Sequence, residues 1–251
     1  MNVYHRTEYP DELAPDAFDL YLDLGWYRMR QYLFTCTHLF DFDEVMELQA
    51  LRRVWWIRFH MPSLIPRGSH RRILRKNQNF RVEVAPYPTI REGDEDLFSR
   101  YRASINFDTY PSLQDALIGE NEDWTIFNSW AVTVYDGEKR IALGIFDKGL
   151  TSASSQLHCY DPDYTACSPG KFLMMMTLQH LSAHGYEWYY PGYVFAGNPK
   201  MNYKLFLGME SISYYNPDVE KWETFHEMLL EEEPYSPEFI RELGKQLFRL
   251  P

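Results

Sequence analysis

Asp161 and Asp163 bracket Pro162, Ser168 opens a Ser-Pro-Gly-Lys run ending at Lys171, and Lys200 and Lys204 lie four residues apart around Tyr203. Carboxylates at such a turn either hydrogen-bond the local backbone or bind a cation such as an incoming ammonium. A helix that starts at Ser168 presents unpaired N–H groups and the positive end of its dipole, which suit a phosphate or a developing oxyanion, with Lys171 as a nearby cation; a capped structural helix is the other reading. Tyr189, Tyr190 and Tyr193 fall in a strand-like stretch whose alternation puts Tyr189 and Tyr193 on one face and Tyr190 on the other. Tyr193 follows Gly192, which permits close backbone approach, and is therefore the preferred site tyrosine. If the segment from Lys200 to Leu207 is helical, Lys200 and Lys204 share a face.

The chain has 251 residues and a net charge of -11, which argues against indiscriminate nucleic-acid binding. One stretch departs from that average. Arg67, Arg71, Arg72, Arg75, Lys76 and Arg81 occur without an intervening acid, close to Trp55, Trp56 and Phe80. This run reads either as a nucleic-acid backbone contact or as a solvated loop pairing with the protein's many acids. Cys36, Cys159 and Cys167 fit neither a disulfide framework nor a zinc site, and the histidines show no ligand spacing, so no metal or other cofactor is expected. No apolar run reaches the roughly 18 residues of a membrane span, and the first 15 residues have no apolar signal core, which leaves the cytoplasm as the expected location.

The elements that must position these residues follow from periodicity. Residues 16–25 predict a helix, 31–37, 54–60 and 81–85 strands, and 94–107 a helix with an acidic first turn, after which a short helix begins near Ser112. A first lobe, 1–110, containing the basic segment 67–81, would end there. The second lobe, 111–251, reads more clearly. A hairpin over 130–146 with a turn longer than the tightest Asp-Gly type is followed by a strand at 152–160 and an apolar helix at 168–184 with Ser168 as N-cap and Pro169 at its first position. A strand at 187–193, a helical segment at 200–207, a strand at 211–215 and two helices at 217–231 and 236–249 complete it. Antiparallel strands, a long helix and a parallel-type crossover make an α/β (α+β) plan: the GNAT acyltransferase-like mixed sheet flanked by helices, with a smaller N-terminal lobe.

Four short motifs carry a resemblance over this region: Cys159-Tyr-Asp-Pro-Asp-Tyr164, Ser168-Pro-Gly-Lys171, Tyr189-Tyr-Pro-Gly-Tyr193 and Lys200-Met-Asn-Tyr-Lys204. Their order is similar to that of the arginyl-tRNA-protein transferases and their leucyl counterparts. Gly25-Trp-Tyr-Arg28-Met-Arg30 and Leu97-Phe-Ser-Arg-Tyr101 resemble the family's N-terminal half more loosely. The chain differs in lacking the N-terminal cysteine group, of which Cys36 would be the remnant, and in reading Ile105-Asn106 where the family has an Arg-His pair.

The resemblance implies transfer of an amino acid, arginine foremost, from aminoacyl-tRNA (tRNA-Arg) to the free α-amine of a protein or peptide. An acyl-CoA-dependent N-acyltransferase of the same fold and a non-catalytic peptide- or RNA-binding module are the alternatives. It further implies catalytic roles for Tyr160, Asp161, Ser168 and Tyr193, and substrate contacts by Arg28, Arg30, Asp163, Lys171, Lys200, Tyr203 and Lys204. Arg67, Arg71, Arg72, Arg75 and Lys76 would meet tRNA. Arg28 and Arg30 would bind an acidic N-terminal side chain or serve as ordinary ion-pair partners. Since the ester is already activated, positioning and oxyanion stabilisation suffice and no strong dedicated base is required.

Overall fold

The computed structural model describes residues 4–43, 48–106, 109–119, 125–197 and 199–231; the side chains of 40–43, 48–50, 199 and 200 lie outside that description. The strands are β1 (His5–Glu8), β2 (Tyr27–Met29), β3 (Tyr32–Cys36), β4 (His38–Asp43), β5 (Leu48–His60), β6 (Arg81–Pro86), β7 (Ser129–Asp136), β8 (Lys139–Lys148), β9 (Ser152–Tyr160), β10 (Trp188–Phe195), β11 (Ile212–Asn216) and β12 (Lys221–Thr224). The α-helices are α1 (Pro15–Asp23), α2 (Gly68–Lys76), α3 (Asp94–Ser104), α4 (Leu113–Leu117) and α5 (Pro169–Ala183).

A nine-stranded sheet runs in the order β12-β11-β5-β10-β9-β8-β7-β6, with β4 paired to the first half of β5, and a three-stranded sheet runs β1-β3-β2. Alternation along β8 explains why helices cover both faces. Ala142 and Phe146 join Phe172, Leu173 and Leu181 of α5 in one core cluster, while Leu143 and Ile145 join Leu97 and Phe98 of α3 and Leu113 and Leu117 of α4 in another. The expected α+β plan is present: an antiparallel run β7-β8-β9, the long helix α5, then β10 laid parallel to β9.

The sheet runs across residue 110, since β5 and β6 from before it pair with β10, β11 and β7 from after it. Three expectations are revised. The hairpin turn is tight: Asp136 pairs with Lys139, and Gly137 adopts φ 57° between them. The segment Pro199–Leu207 is a 3-10 helix, whose three-residue turn leaves positions four apart on different faces. In place of a helix at 217–231 there is a turn, β12 and a 3-10 turn at Glu227–Leu230. Cross-strand ties override the helical pattern there: Glu223 accepts from Tyr214 and Asn216, and Trp222 packs edge-on against Tyr190 and Tyr215. The expected helix at 236–249 lies outside the described residues.

Candidate active site

The parallel ladder between β9 and β10 is short. Trp188, Tyr189 and Tyr190 face Ser152, Ala153 and Ser154, and there the pairing stops, although β9 continues to Tyr160 and β10 to Phe195. Pro191 brings no N–H to the ladder, and Gly192 takes φ 96°. On its other edge β10 changes register against β5 between Tyr189 and Gly192. The two strands therefore separate into a wedge, with β9 held by β8 and β10 held by β5. The bulge also overturns the expected tyrosine arrangement. Tyr189 pairs with Phe59 and Tyr193 with Trp56, so the two rings fall on opposite faces, because the extra residue reverses the alternation.

Tyrosines gather at this wedge. Tyr160 of β9 and Tyr101 of α3 sit with ring centroids 4.9 Å apart, and Tyr203 of the 3-10 segment is close enough for both to feel it electrostatically. Tyr27 of β2 reaches Gly192: a Cβ on that glycine would lie 3.6 Å from the Tyr27 hydroxyl and 3.4 Å from Lys204 Nζ. Burial raises the Tyr27 and Tyr189 hydroxyls above the ordinary range, and desolvation of its hydroxyl end together with the nearby Tyr160 pushes Tyr203 up to about 12 although that residue is 39% exposed overall, so all three remain neutral donors at physiological pH.

Lys204 points inward, with the residue 8% exposed. Its Nζ donates to the Tyr193 carbonyl at 2.8 Å and lies 5.2 Å from the centre of the Tyr193 ring. Burial without a partner carboxylate among the described residues pushes its pKa down to about 7. His158 of β9 is held at about 4 by burial and by the nearby Lys204 charge, and its Nε2 is 3.3 Å from Ser155 Oγ. Gly144 on the paired strand makes room for that imidazole: a Cβ there would stand 3.0 Å from His158 Cδ2 and 3.3 Å from Leu173 Cβ.

The start of α5 borders the wedge, since a Cβ on Gly170 would be 3.9 Å from the Tyr160 ring. Ser168 occupies the N-cap position in left-handed backbone, φ 57° and ψ 55°, but its side chain makes no capping hydrogen bond, which corrects the expected capping role. The turn is held instead from α2 and the residue after it, by Lys76 Nζ on the Ala166 carbonyl at 2.8 Å and Asn77 Nδ2 on the Cys167 carbonyl at 2.9 Å. Lys171 rests 5.4 Å from the centre of the Phe206 ring.

Asp161 is 4% exposed and engaged by its own fold. It accepts from the Asp163 N–H at 3.1 Å and pairs with Lys139 at 2.9 Å and Arg100 at 3.6 Å. Burial opposes its charge, yet those hydrogen bonds and cations together hold its pKa below the usual carboxylate range. Asp163 is exposed at the turn.

Arg28 is a buried cation whose partners are internal, as in the ion-pair reading. Its guanidinium meets both Asp147 oxygens at 2.8 and 3.0 Å, Ser129 Oγ at 3.0 Å, the Arg30 carbonyl at 2.7 Å and the Leu117 carbonyl. Arg30, at φ 53°, pairs with Asp115 at 2.7 Å and donates to the Asp115 carbonyl at 3.1 Å. These contacts lock the β2-β3 turn onto α4. The side chain of Lys200 lies outside the described residues.

The basic run forms the amphipathic helix α2 rather than a loop. Ile73 and His70 face inward, whereas Arg71, Arg72, Arg75 and Lys76 are exposed. Arg67 pairs with Glu210, and Lys76 ties this helix to the start of α5. Sequence reasoning missed His158, Tyr27 and Tyr101. Alternation could have supplied the first, since His158 shares a strand face with Tyr160; Tyr27 and Tyr101 stand inside the motifs at 25–30 and 97–101. Among the described residues no group of three or more His, Cys, Asp or Glu side chains is arranged to hold a metal, and no helix is long and apolar enough to cross a membrane.

Residues 94–213 match the family described as "Arginine-tRNA-protein transferase, C terminus". The chain is 24% identical over 204 residues to an aspartate/glutamate leucyltransferase of Leptospira interrogans, covering 79% of this chain and 74% of that protein. It is 30% identical over 116 residues to arginyl-tRNA-protein transferase 1 of Saccharomyces cerevisiae, covering 40% of this chain and 23% of that longer protein. A solved structure, L-PGS from Bacillus licheniformis, aligns with a TM-score of 0.41 at 12% identity, over 73% of this chain and 51% of that one.

Proposed function

Because the chain belongs to the arginyl-tRNA-protein transferase family, we propose that it transfers an amino acid from aminoacyl-tRNA to the N-terminal α-amine of a protein or peptide. The observation that carries this reading is the wedge between β9 and β10, lined by tyrosines and bordered by the start of α5. In the reaction the amine nitrogen attacks the ester carbonyl, a tetrahedral oxyanion forms, and the C–O bond to the terminal adenosine breaks. Hydroxyl donors already fixed in place suit that oxyanion, because they stabilise developing charge with little reorganisation. Tyr160, Tyr203 and Tyr27 are the donors in this reading. Lys171 and the free N–H groups of α5 face the tRNA end, while α2 offers Arg71, Arg72 and Arg75 to the backbone phosphates.

Arginine is the donor that the family description and the yeast relative support. Leucine is supported by the larger share of the chain that the Leptospira leucyltransferase covers. A guanidinium needs a carboxylate, and Asp161, beside Tyr160, is already held by Lys139 and Arg100. Incubating labelled arginyl-tRNA and leucyl-tRNA with peptides that begin with Asp, Glu or Ala tests both levels. Transfer from either tRNA supports the transferase reading and identifies the donor. No transfer from any aminoacyl-tRNA to any peptide would end it.

A further inference from the structure

We propose that Lys204 is the general base of the transfer, taking the proton from the incoming α-ammonium and passing it to the departing ribose oxygen. The inference rests on the transferase reading and deepens it. An α-amine has a pKa of roughly 7.7 to 8.0, so most acceptors arrive protonated and must lose a proton before attack, then a second one as the peptide bond forms. A basic side chain held beside the acceptor can receive the first of them and return it to the leaving oxygen.

The groups nearest Lys204 are unsuited to that task. Tyr193 offers its carbonyl and ring, and the hydroxyls of Tyr27 and Tyr203 are kept neutral by desolvation. His158 is neutral but too weakly basic, and its Nε2 is turned to Ser155. Asp161, the carboxylate next to Tyr160, is paired with two cations. Lys204 differs from all of them. Its Nζ is fixed by one hydrogen bond at 2.8 Å, has no partner carboxylate among the described residues, and comes within 3.4 Å of where a side chain on Gly192 would begin. The glycine thus keeps the backbone beside the nitrogen free of a side chain at the point where the two strands part.

The proton balance closes on this one nitrogen. Neutral Lys204 accepts a proton from the ammonium, the freed amine forms the N–C bond, and the C–O bond to the ribose breaks. The ribose oxygen takes a proton back from the Lys204 ammonium, and the second proton leaves to solvent with the product. While protonated, Lys204 also offers a cation to the oxyanion. A nitrogen that ionises near neutral pH suits both halves of the cycle.

Single-turnover transfer is measured against pH for the wild type, Lys204→Met and Lys204→Arg, with acceptor peptides whose α-amines differ in pKa. The wild-type rate is expected to rise through an ionisation near pH 7 that stays in place when the acceptor is changed. Lys204→Met is expected to fold yet transfer at least about 100-fold more slowly, with a midpoint that follows the acceptor amine. Lys204→Arg keeps the charge but cannot release its proton, and is expected to be as slow as the Met variant. Full activity in Lys204→Arg, or a wild-type midpoint that tracks the acceptor, would overturn the proposal while leaving the transferase reading intact. A direct NMR titration placing the Lys204 ammonium in the ordinary lysine range would also overturn it. Absence of any transfer by the wild type would remove the transferase reading and the base together.

Discussion

Two buried cations within this fold have opposite surroundings. Arg28 meets a carboxylate, a hydroxyl and two carbonyls, so that little of its donor capacity is left over. Lys204, about as deeply buried, is held by one carbonyl and one aromatic ring. The first arrangement fastens β2 to β8 and α4. The second leaves a charge so poorly compensated that its proton is loosely held near neutral pH. A saturated buried charge serves as scaffold, and an undersaturated one is available for chemistry.

The largest test of that contrast is Arg28→Met, which strands Asp147 at 0% exposure beside Ser129. Urea denaturation is expected to show a loss of about 3 to 5 kcal/mol. Lys204→Met is expected to do the reverse and stabilise the protein by about 2 kcal/mol at pH 7, after allowing for the missing hydrogen bond. The sign follows from a folded pKa of about 7 lying below the unfolded value of about 10.5. Between those values the unfolded chain holds the extra proton, so the cost of burying Lys204 is full below pH 7 and fades as pH rises toward 10.5. Denaturation midpoints at pH 7 and pH 10 should therefore converge between wild type and variant; a constant gap would break the contrast. Gly144→Ala, which crowds His158 beside Lys204, is expected to cost about 1 kcal/mol and to slow transfer, read by the same denaturation and by single-turnover assay. Smallest in stability is Arg71→Ser with Arg72→Ser and Arg75→Ser, within about 0.5 kcal/mol of wild type. Yet the salt dependence of tRNA binding is expected to fall by about one log unit of slope for each phosphate that is no longer neutralised.

Much of the scaffold could be read from local pattern. The β7-β8 hairpin, β9, α5 and α3 announce themselves through alternation, an acidic first turn and the Pro169 start, because each is decided by near neighbours. The wedge is different. Tyr160, Tyr203 and Lys204 could be named from the motifs, but the face that Tyr193 takes is set by a bulge, and one inserted residue has no periodic signature. The two readings of Arg28 and Arg30 stayed open for a related reason. Their partners, Asp147 and Asp115, are 119 and 85 residues away, a distance at which sequence alone cannot distinguish a scaffold charge from a ligand contact. The segment 217–231 failed because Trp222 and Glu223 find long-range and cross-strand partners that outweigh a helical spacing.

Pro191 has one more consequence, and it concerns how a substrate is captured. A cleft formed by loops must be gathered and closed around its guest, which makes ordering a slow step. Here the gap opens where the β9–β10 ladder stops, beside a proline ring and a left-handed glycine built into β10. Its width is written into the chain before any guest arrives, and entry should be governed by electrostatic steering and collision, with a single binding phase whose rate scales linearly with tRNA concentration.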